Sequence, residues 1–144
     1  MIGKKAAVAA AIVAAMAPCG ASAQIAISSD ETMAGQPLVA PSGAMEMLAT
    51  RDVVPAGTVI DVHMHFWPRY VFVESGEVQV KMLDGGPIIT FKAGEMIVEP
   101  LQKWHSGLVT KKAVLIAVEQ VPPGQCNTIK PPVKGEANDH CPRK

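Results

Sequence analysis

An all-β sandwich or barrel is what this sequence predicts. After an apolar N-terminal leader, no segment repeats its apolar residues with a helical period, whereas short runs rich in Val, Ile, Thr and aromatic residues recur between clusters of Gly, Pro and Asp. In the clearest run, Val78, Val80 and Met82 alternate with Glu77, Gln79 and Lys81, the pattern of a strand with one buried and one wet face. A length of 144 residues suffices for one domain with a real core.

The chain begins with Lys4 and Lys5, continues with an apolar run from Ala6 to Ala17, and reaches small residues at Ala21 and Ala23. That is the layout of a secretory signal peptide over residues 1–23, so a periplasmic or secreted protein is expected. Two rival readings stand beside it: lipidation at Cys19, which Pro18 fits poorly, and an uncleaved N-terminal anchor, for which the apolar run is short. Residues 24–44 read as a polar, loosely docked arm, with Ile25 and Ile27 alternating with Ala26 and Ser28 as a hint of an edge strand.

The barrel proper is expected over residues 45–121. Met45 to Val54 reads as a strand ended by Pro55-Ala56-Gly57, and Thr58 to Phe66 as a second, interrupted at Pro68. Tyr70 to Glu74 and Glu77 to Met82 flank a tight turn at Ser75-Gly76. Asp84-Gly85-Gly86 turns the chain into Pro87 to Phe91, and Ala93-Gly94-Glu95 turns it into Met96 to Glu99. Trp104 to Thr110 follows Pro100, and Ala113 to Val121 is bounded by Lys111-Lys112 and Pro122-Pro123. Residues 122–144, rich in Pro, Gly and charge, are expected to be a tail without core strands.

Losing Lys4 and Lys5 with the leader leaves the remaining basic residues nearly balanced against the 13 acidic ones, with no basic stripe, which argues against a nucleic-acid partner. The cysteines that remain, Cys126 and Cys141, are expected to be bonded to each other in an oxidising compartment, closing the tail for about 3 kcal/mol. The alternative is a pair of free thiols; without a compact Cys-x-x-Cys unit they do not read as metal ligands.

Three of the 4 histidines fall on two short segments. His63 and His65 stand two apart in a strand, where such side chains leave the same face, and His105 follows Gly94 and Pro100. The grouping suggests one metal site. Gly57, His63, His65 and Gly76, followed by Gly94, Pro100 and His105, resemble the paired motifs of the small single-domain cupins. The resemblance implies a jelly-roll barrel (double-stranded β-helix) that brings His105 opposite the His63–His65 pair, and a homodimer. The family pattern has a glutamate where this chain has Arg69 or Tyr70, and Gln102 and Val109 replace a motif glycine and asparagine. What remains looks like the three-histidine sites of some cupin dioxygenases.

Imidazole ligates Fe, Zn, Cu, Ni and, with oxygen donors beside it, Mn, and three imidazoles leave open positions for substrate or oxygen. Iron is the first expectation, with Mn, Zn, Ni and Cu behind it. Arg69 and Tyr70 are the candidate catalytic residues. Arg69 either holds a substrate carboxylate by a bidentate contact or reaches solvent at the barrel mouth, and Tyr70 and Trp67 are candidates for the cavity wall. Met64 and Phe66 leave the outer face of the histidine strand, where they suit a covering strand or a dimer contact. No nucleophile elbow, phosphate-binding loop or dinucleotide fingerprint is present.

Two functions stay open at this point. One is a metal-dependent, dioxygenase-like enzyme acting on a small organic molecule, with anions among the candidates. The other is a non-catalytic module that binds or senses a small ligand or metal, favoured by the missing glutamate and by the want of any acid or base near the histidines.

Overall fold

The computed structural model describes residues 26–132. The expected signal peptide (1–23) and Cys141, the expected partner of Cys126, lie outside the described residues. Among the described residues the elements are strands alone: β1 (Glu46–Val54), β2 (Val59–His65), β3 (Arg69–Met82), β4 (Ile89–Lys92), β5 (Met96–Val98), β6 (His105–Val121) and β7 (Thr128–Ile129). No helix among them is long and apolar enough to cross a membrane.

β3 and β6 form an antiparallel ribbon that runs the length of the molecule and bends in its middle. On one side of the bend the ribbon continues into β4, which pairs with the second half of β3, and into β2 and β7, beyond the first half of β6. On the other side it continues into β5, paired with the first half of β3, and β1, paired with the second half of β6. Two sheet layers therefore share one pair of strands. Val71, Val73, Ile97, Leu115 and Ala117 from one layer meet Val78, Val80 and Val109 from the other in a single buried cluster. Val73 and Val109 are fully excluded from solvent, the inward half of the strand alternation.

Two expected breaks are absent, and the bend explains both. Ser75-Gly76 is no hairpin turn, because β3 runs straight through it as part of 14 continuous residues. The register against β6 slips between Val73 and Val78, so the segment is a bulged bend. Gly76 takes φ 87° there, and a Cβ on it would overlap the Lys112 carbonyl and Ala113. Lys111-Lys112 likewise does not end a strand: β6 spans 17 residues through it. Both lysines are exposed, and Lys111 Nζ reaches Glu77 Oε2 at 3.0 Å, so their charges stay wet while the backbone ladder continues.

Both flanking segments do more than expected. The segment read as a strandless tail carries β7, which pairs Ile129 with Met64 and Thr128 with His65. The arm lies in no strand at Ile27, yet it is docked: the Met33 amide donates to the Val98 carbonyl at 2.8 Å, and Thr32 is buried. Met64 is half-buried beside β7, and Phe66 is 42 % exposed.

Gly76→Ala is expected to lower the stability of the protein by about 2 kcal/mol or more, since it adds the left-handed penalty to a backbone overlap. Urea unfolding checks this; an unchanged midpoint would contradict the packing of β3 on β6 at the bend.

Candidate metal centre

His63 and His65 lie on β2, and His105 opens β6 as the cross-strand partner of His63. The three rings therefore come from neighbouring strands of one layer, and not from opposite walls as expected. Their centroids are 4.9 Å apart for His63–His65, 4.3 Å for His63–His105 and 5.2 Å for His65–His105. One ligand atom from each falls within 4.8 Å of the others. His65 and His105 are buried and His63 partly so.

Backbone carbonyls fix two of the tautomers. Asp61 O lies 2.7 Å from His63 Nδ1, and Lys103 O lies 2.9 Å from His105 Nδ1. A carbonyl can only accept, so each Nδ1 carries hydrogen and the Nε2 of the same ring is left for the cluster. Neither nitrogen of His65 has a hydrogen-bond partner, nor does His105 Nε2.

A residue the sequence reading passed over completes this picture. Glu99, at the end of β5, is buried, and its Oε2 lies 3.2 Å from His105 Nε2 without the angles of a hydrogen bond. The signal was present in the sequence: Glu99 stands two residues beyond Ile97 in an inward-facing register, immediately before Pro100. Two lone-pair-bearing atoms this close repel unless a proton or a metal ion comes between them. Unpartnered buried nitrogens beside an unpartnered carboxylate oxygen are the donor set of a divalent metal, and the residues fit one.

The titration behaviour of His63 and His65 agrees, while His105 is drawn toward its neighbour Glu99. Burial pushes the pKa of His65 down to about 3, and burial also lowers that of His63, so both rings are neutral and able to ligate at pH 7. Burial pulls His105 the same way, but the Glu99 carboxylate outweighs it and holds its pKa above the ordinary value. In Glu99, burial raises the carboxyl's pKa, and the neighbouring His105 and His65 more than offset this.

Of the candidate catalytic residues, Arg69 lines the cavity with His63, Glu99 and His105, whereas Tyr70 does not. Alternation along β3 puts Arg69 on the face of the buried Val71 and Val73 and sends Tyr70 to the other. Arg69 is not simply a solvent-facing residue at the mouth, since its Nη1 donates to Glu119 Oε2 at 2.9 Å and both side chains are largely covered. The cavity holds about 90 Å³, several times what one water needs, and Val71, Val80 and Leu115 supply part of its apolar wall. Trp67 does not line it.

Two outlying side chains hold the frame. Asn127 Oδ1 accepts from the amides of Phe66 and Trp67, and its Nδ2 donates to the Trp67 carbonyl and to Glu119 Oε2, the oxygen that also receives Arg69. The tail thus fixes the loop between β2 and β3 as well as the salt bridge behind Arg69. From the arm, Gln36 donates to the Leu101 carbonyl and accepts from the Leu101 amide, both at 2.9 Å. The next residue, Gln102, takes φ 54° where the cupin pattern has glycine, and its amide donates to the His65 carbonyl at 2.7 Å.

Asn127→Ala removes this staple from a site only 2 % exposed and leaves amides of the 66–67 segment unpaired. A loss of about 2–4 kcal/mol is expected, with thermal unfolding as the check; a shift within error would show that the tail does not brace the loop. For the metal-free protein the sign with pH also follows. The depressed pKa values of His63 and His65 give stability that is full above the unfolded value of 6.5 and is lost as pH falls toward about 3. The raised His105 opposes this with stability that is full below 6.5. Two groups against one predict a net decline in urea stability on going from pH 6.5 to 4.5; a net rise over that window would contradict the burial of the pair.

No family model matches the chain, and no curated protein does. Solved structures to which it is similar include KdgF from Halomonas sp. (18 % identity, covering 51 % of this chain and 68 % of that one, TM-score 0.46). Others are an RmlC-like cupin from Shewanella frigidimarina NCIMB 400 (23 %, 55 % and 69 %, TM-score 0.48) and the DMSP lyase DddQ from Ruegeria pomeroyi DSS-3 (19 %, 65 % and 45 %, TM-score 0.49). In this chain itself, the segments Gly57–Gly76 and Gly94–His105 fold into an antiparallel, two-layered β architecture with their three imidazoles converged, the all-β arrangement that the motif resemblance implies.

Proposed function

We propose that this protein binds one divalent transition metal through His63, His65 and His105, iron before manganese, zinc, nickel or copper, and acts on a small organic substrate in an oxygenase-type reaction. The observation that carries the reading is the convergence of the three imidazoles, with unpartnered buried nitrogens on His65 and His105, beside a cavity of about 90 Å³ that His63 and His105 line. Three protein nitrogens leave coordination positions for substrate and oxygen, and the metal would supply Lewis acidity and oxygen activation there.

The chain's own residues do the rest. His63 and His105 are held in the ligating tautomer by the Asp61 and Lys103 carbonyls. Arg69 stands on the cavity wall with Nη1 anchored to Glu119, and its remaining N–H groups suit a carboxylate on the substrate. The apolar side chains of the wall keep bulk water from the reacting centre and limit the substrate to a small molecule. The binding-module reading drew on the missing motif glutamate, the want of any acid or base near the histidines and the small size of the chain. A buried carboxylate, Glu99, beside His105 supports the enzyme reading against the first two of these. The periplasmic or secreted location is part of this proposal and rests on the layout of residues 1–24.

Metal-free protein titrated with ferrous iron under nitrogen is expected to take up one equivalent and to gain stability, about 4 kcal/mol when free metal exceeds the dissociation constant a thousandfold. His105→Ala should abolish stoichiometric uptake. Admission of air with small carboxylic acids should then give substrate-dependent oxygen consumption in the wild type alone. Stoichiometric iron without oxygen consumption would return the protein to the binding-module reading, and absence of uptake would overturn both.

A further inference from the structure

We propose that Glu99 is a fourth ligand to the same metal, so that the centre is a set of three histidines and one carboxylate in which the carboxylate arrives from the end of β5. The cupin pattern would take its glutamate from the start of β3, where this chain has Arg69. The inference rests on the reading that His63, His65 and His105 hold a metal.

Distance is the first ground. Ligand atoms about 2.1 Å from one ion and at right angles about it are roughly 3.0 Å apart. Glu99 Oε2 and His105 Nε2 are 3.2 Å apart, and neither has a hydrogen-bond partner. The second ground is the rigidity of the backbone that presents Glu99. Its amide donates to the Arg69 carbonyl at 3.0 Å, Pro100 after it is fully buried, Leu101 is clasped on both backbone groups by Gln36, and the Gln102 amide is bonded to the His65 carbonyl. The loop from 99 to 102 is thereby tied directly to the strand that bears two of the histidines. A positive φ at Gln102, in place of glycine, is the kind of local strain that a functional site retains.

Charge is the third ground. A buried carboxylate needs a partner close at hand. The permanent cation on the cavity wall, Arg69, is bonded to Glu119, which leaves His105 Nε2 at 3.2 Å as the close neighbour of Glu99 Oε2, with room between them for a proton or a metal ion. A divalent ion bounded by Glu99 and three neutral rings keeps a net charge of about +1. An oxygen donor beside imidazole moves the preference of the site toward manganese and iron and away from the all-nitrogen taste for zinc and copper. The chain has in effect exchanged places: a cation at the motif's carboxylate position, and a carboxylate one loop away beside His105.

The test has two arms with different failures. A crystal structure of the wild-type protein with Mn²⁺, located by its anomalous scattering, is expected to place a Glu99 carboxylate oxygen about 2.2 Å from the ion, together with three imidazole nitrogens. Calorimetric titration of Glu99→Gln is expected to show Mn²⁺ bound at least about tenfold more weakly, with a smaller loss for Zn²⁺, so that the Mn²⁺ to Zn²⁺ affinity ratio falls. A purely structural Glu99 would weaken both metals alike. Manganese held by the three histidines with the carboxylate more than about 3 Å away, or an unchanged affinity ratio, overturns the assignment of Glu99 and leaves the three-histidine reading intact. Absence of manganese from the wild type overturns both. Should Glu99→Gln not fold, the wild-type structure decides alone.

Discussion

Polar lone pairs withdrawn from water and turned toward one another are the constraint around which this molecule is arranged. His65 and His105 are at most 1 % exposed, and Glu99 is 8 % exposed, against a core cluster rich in valine. The two ring nitrogens of His65, His105 Nε2 and Glu99 Oε2 would each be stabilised by solvent or a hydrogen-bond partner, and none has one. The fold instead spends backbone carbonyls at Asp61 and Lys103 on turning ring nitrogens inward. A protein that needed these residues only for packing could have used apolar ones of similar volume. A cation at their meeting point reconciles burial with chemistry.

The β3–β6 ribbon is what makes the meeting possible. Because both strands continue through the bend, one layer delivers His105 and, through β2, the other two histidines, while the facing layer delivers Arg69 at the start of β3 and Glu99 beyond β5. A rigid scaffold with functional side chains at strand ends is the usual division between stability and chemistry. Here the flanking segments belong to the scaffold as well. Gln36 from the arm and Asn127 from the tail each bind the backbone of a loop that adjoins the centre, and each does so with both halves of its amide.

Much of this was legible in the residues. Period-two alternation at Val78, Val80 and Met82 announces an all-β core, and His63 and His65 must share a face whatever the tertiary structure. His105 was assignable to the same site from the grouping of the histidines and from the motif resemblance, but its position beside His63, not across from it, depends on a register that no local pattern encodes. Ser75-Gly76 has the composition of a turn, yet the same glycine that permits a turn also permits two strands to pass closely, and only the long-range pairing with Lys112 and Ala113 decides between them. Glu99 was overlooked because a strand-end glutamate is ordinarily solvated. Asn127 and β7 were hidden in a segment whose proline and glycine content outweighs a short pairing of two residues.

The central claim is that the three imidazoles bind one ion together through nitrogens the fold has kept free. Long-range proton–nitrogen NMR correlations of the histidine rings during titration with Zn²⁺ test it most directly. The account predicts that His63 and His105 retain Nδ1–H, that their Nε2 resonances and one nitrogen of His65 move to metal-bound values, and that all three complete the change at one equivalent. Rings that respond at different metal ratios, or a His63 or His105 that carries its hydrogen on Nε2 in the zinc-loaded protein, would contradict it.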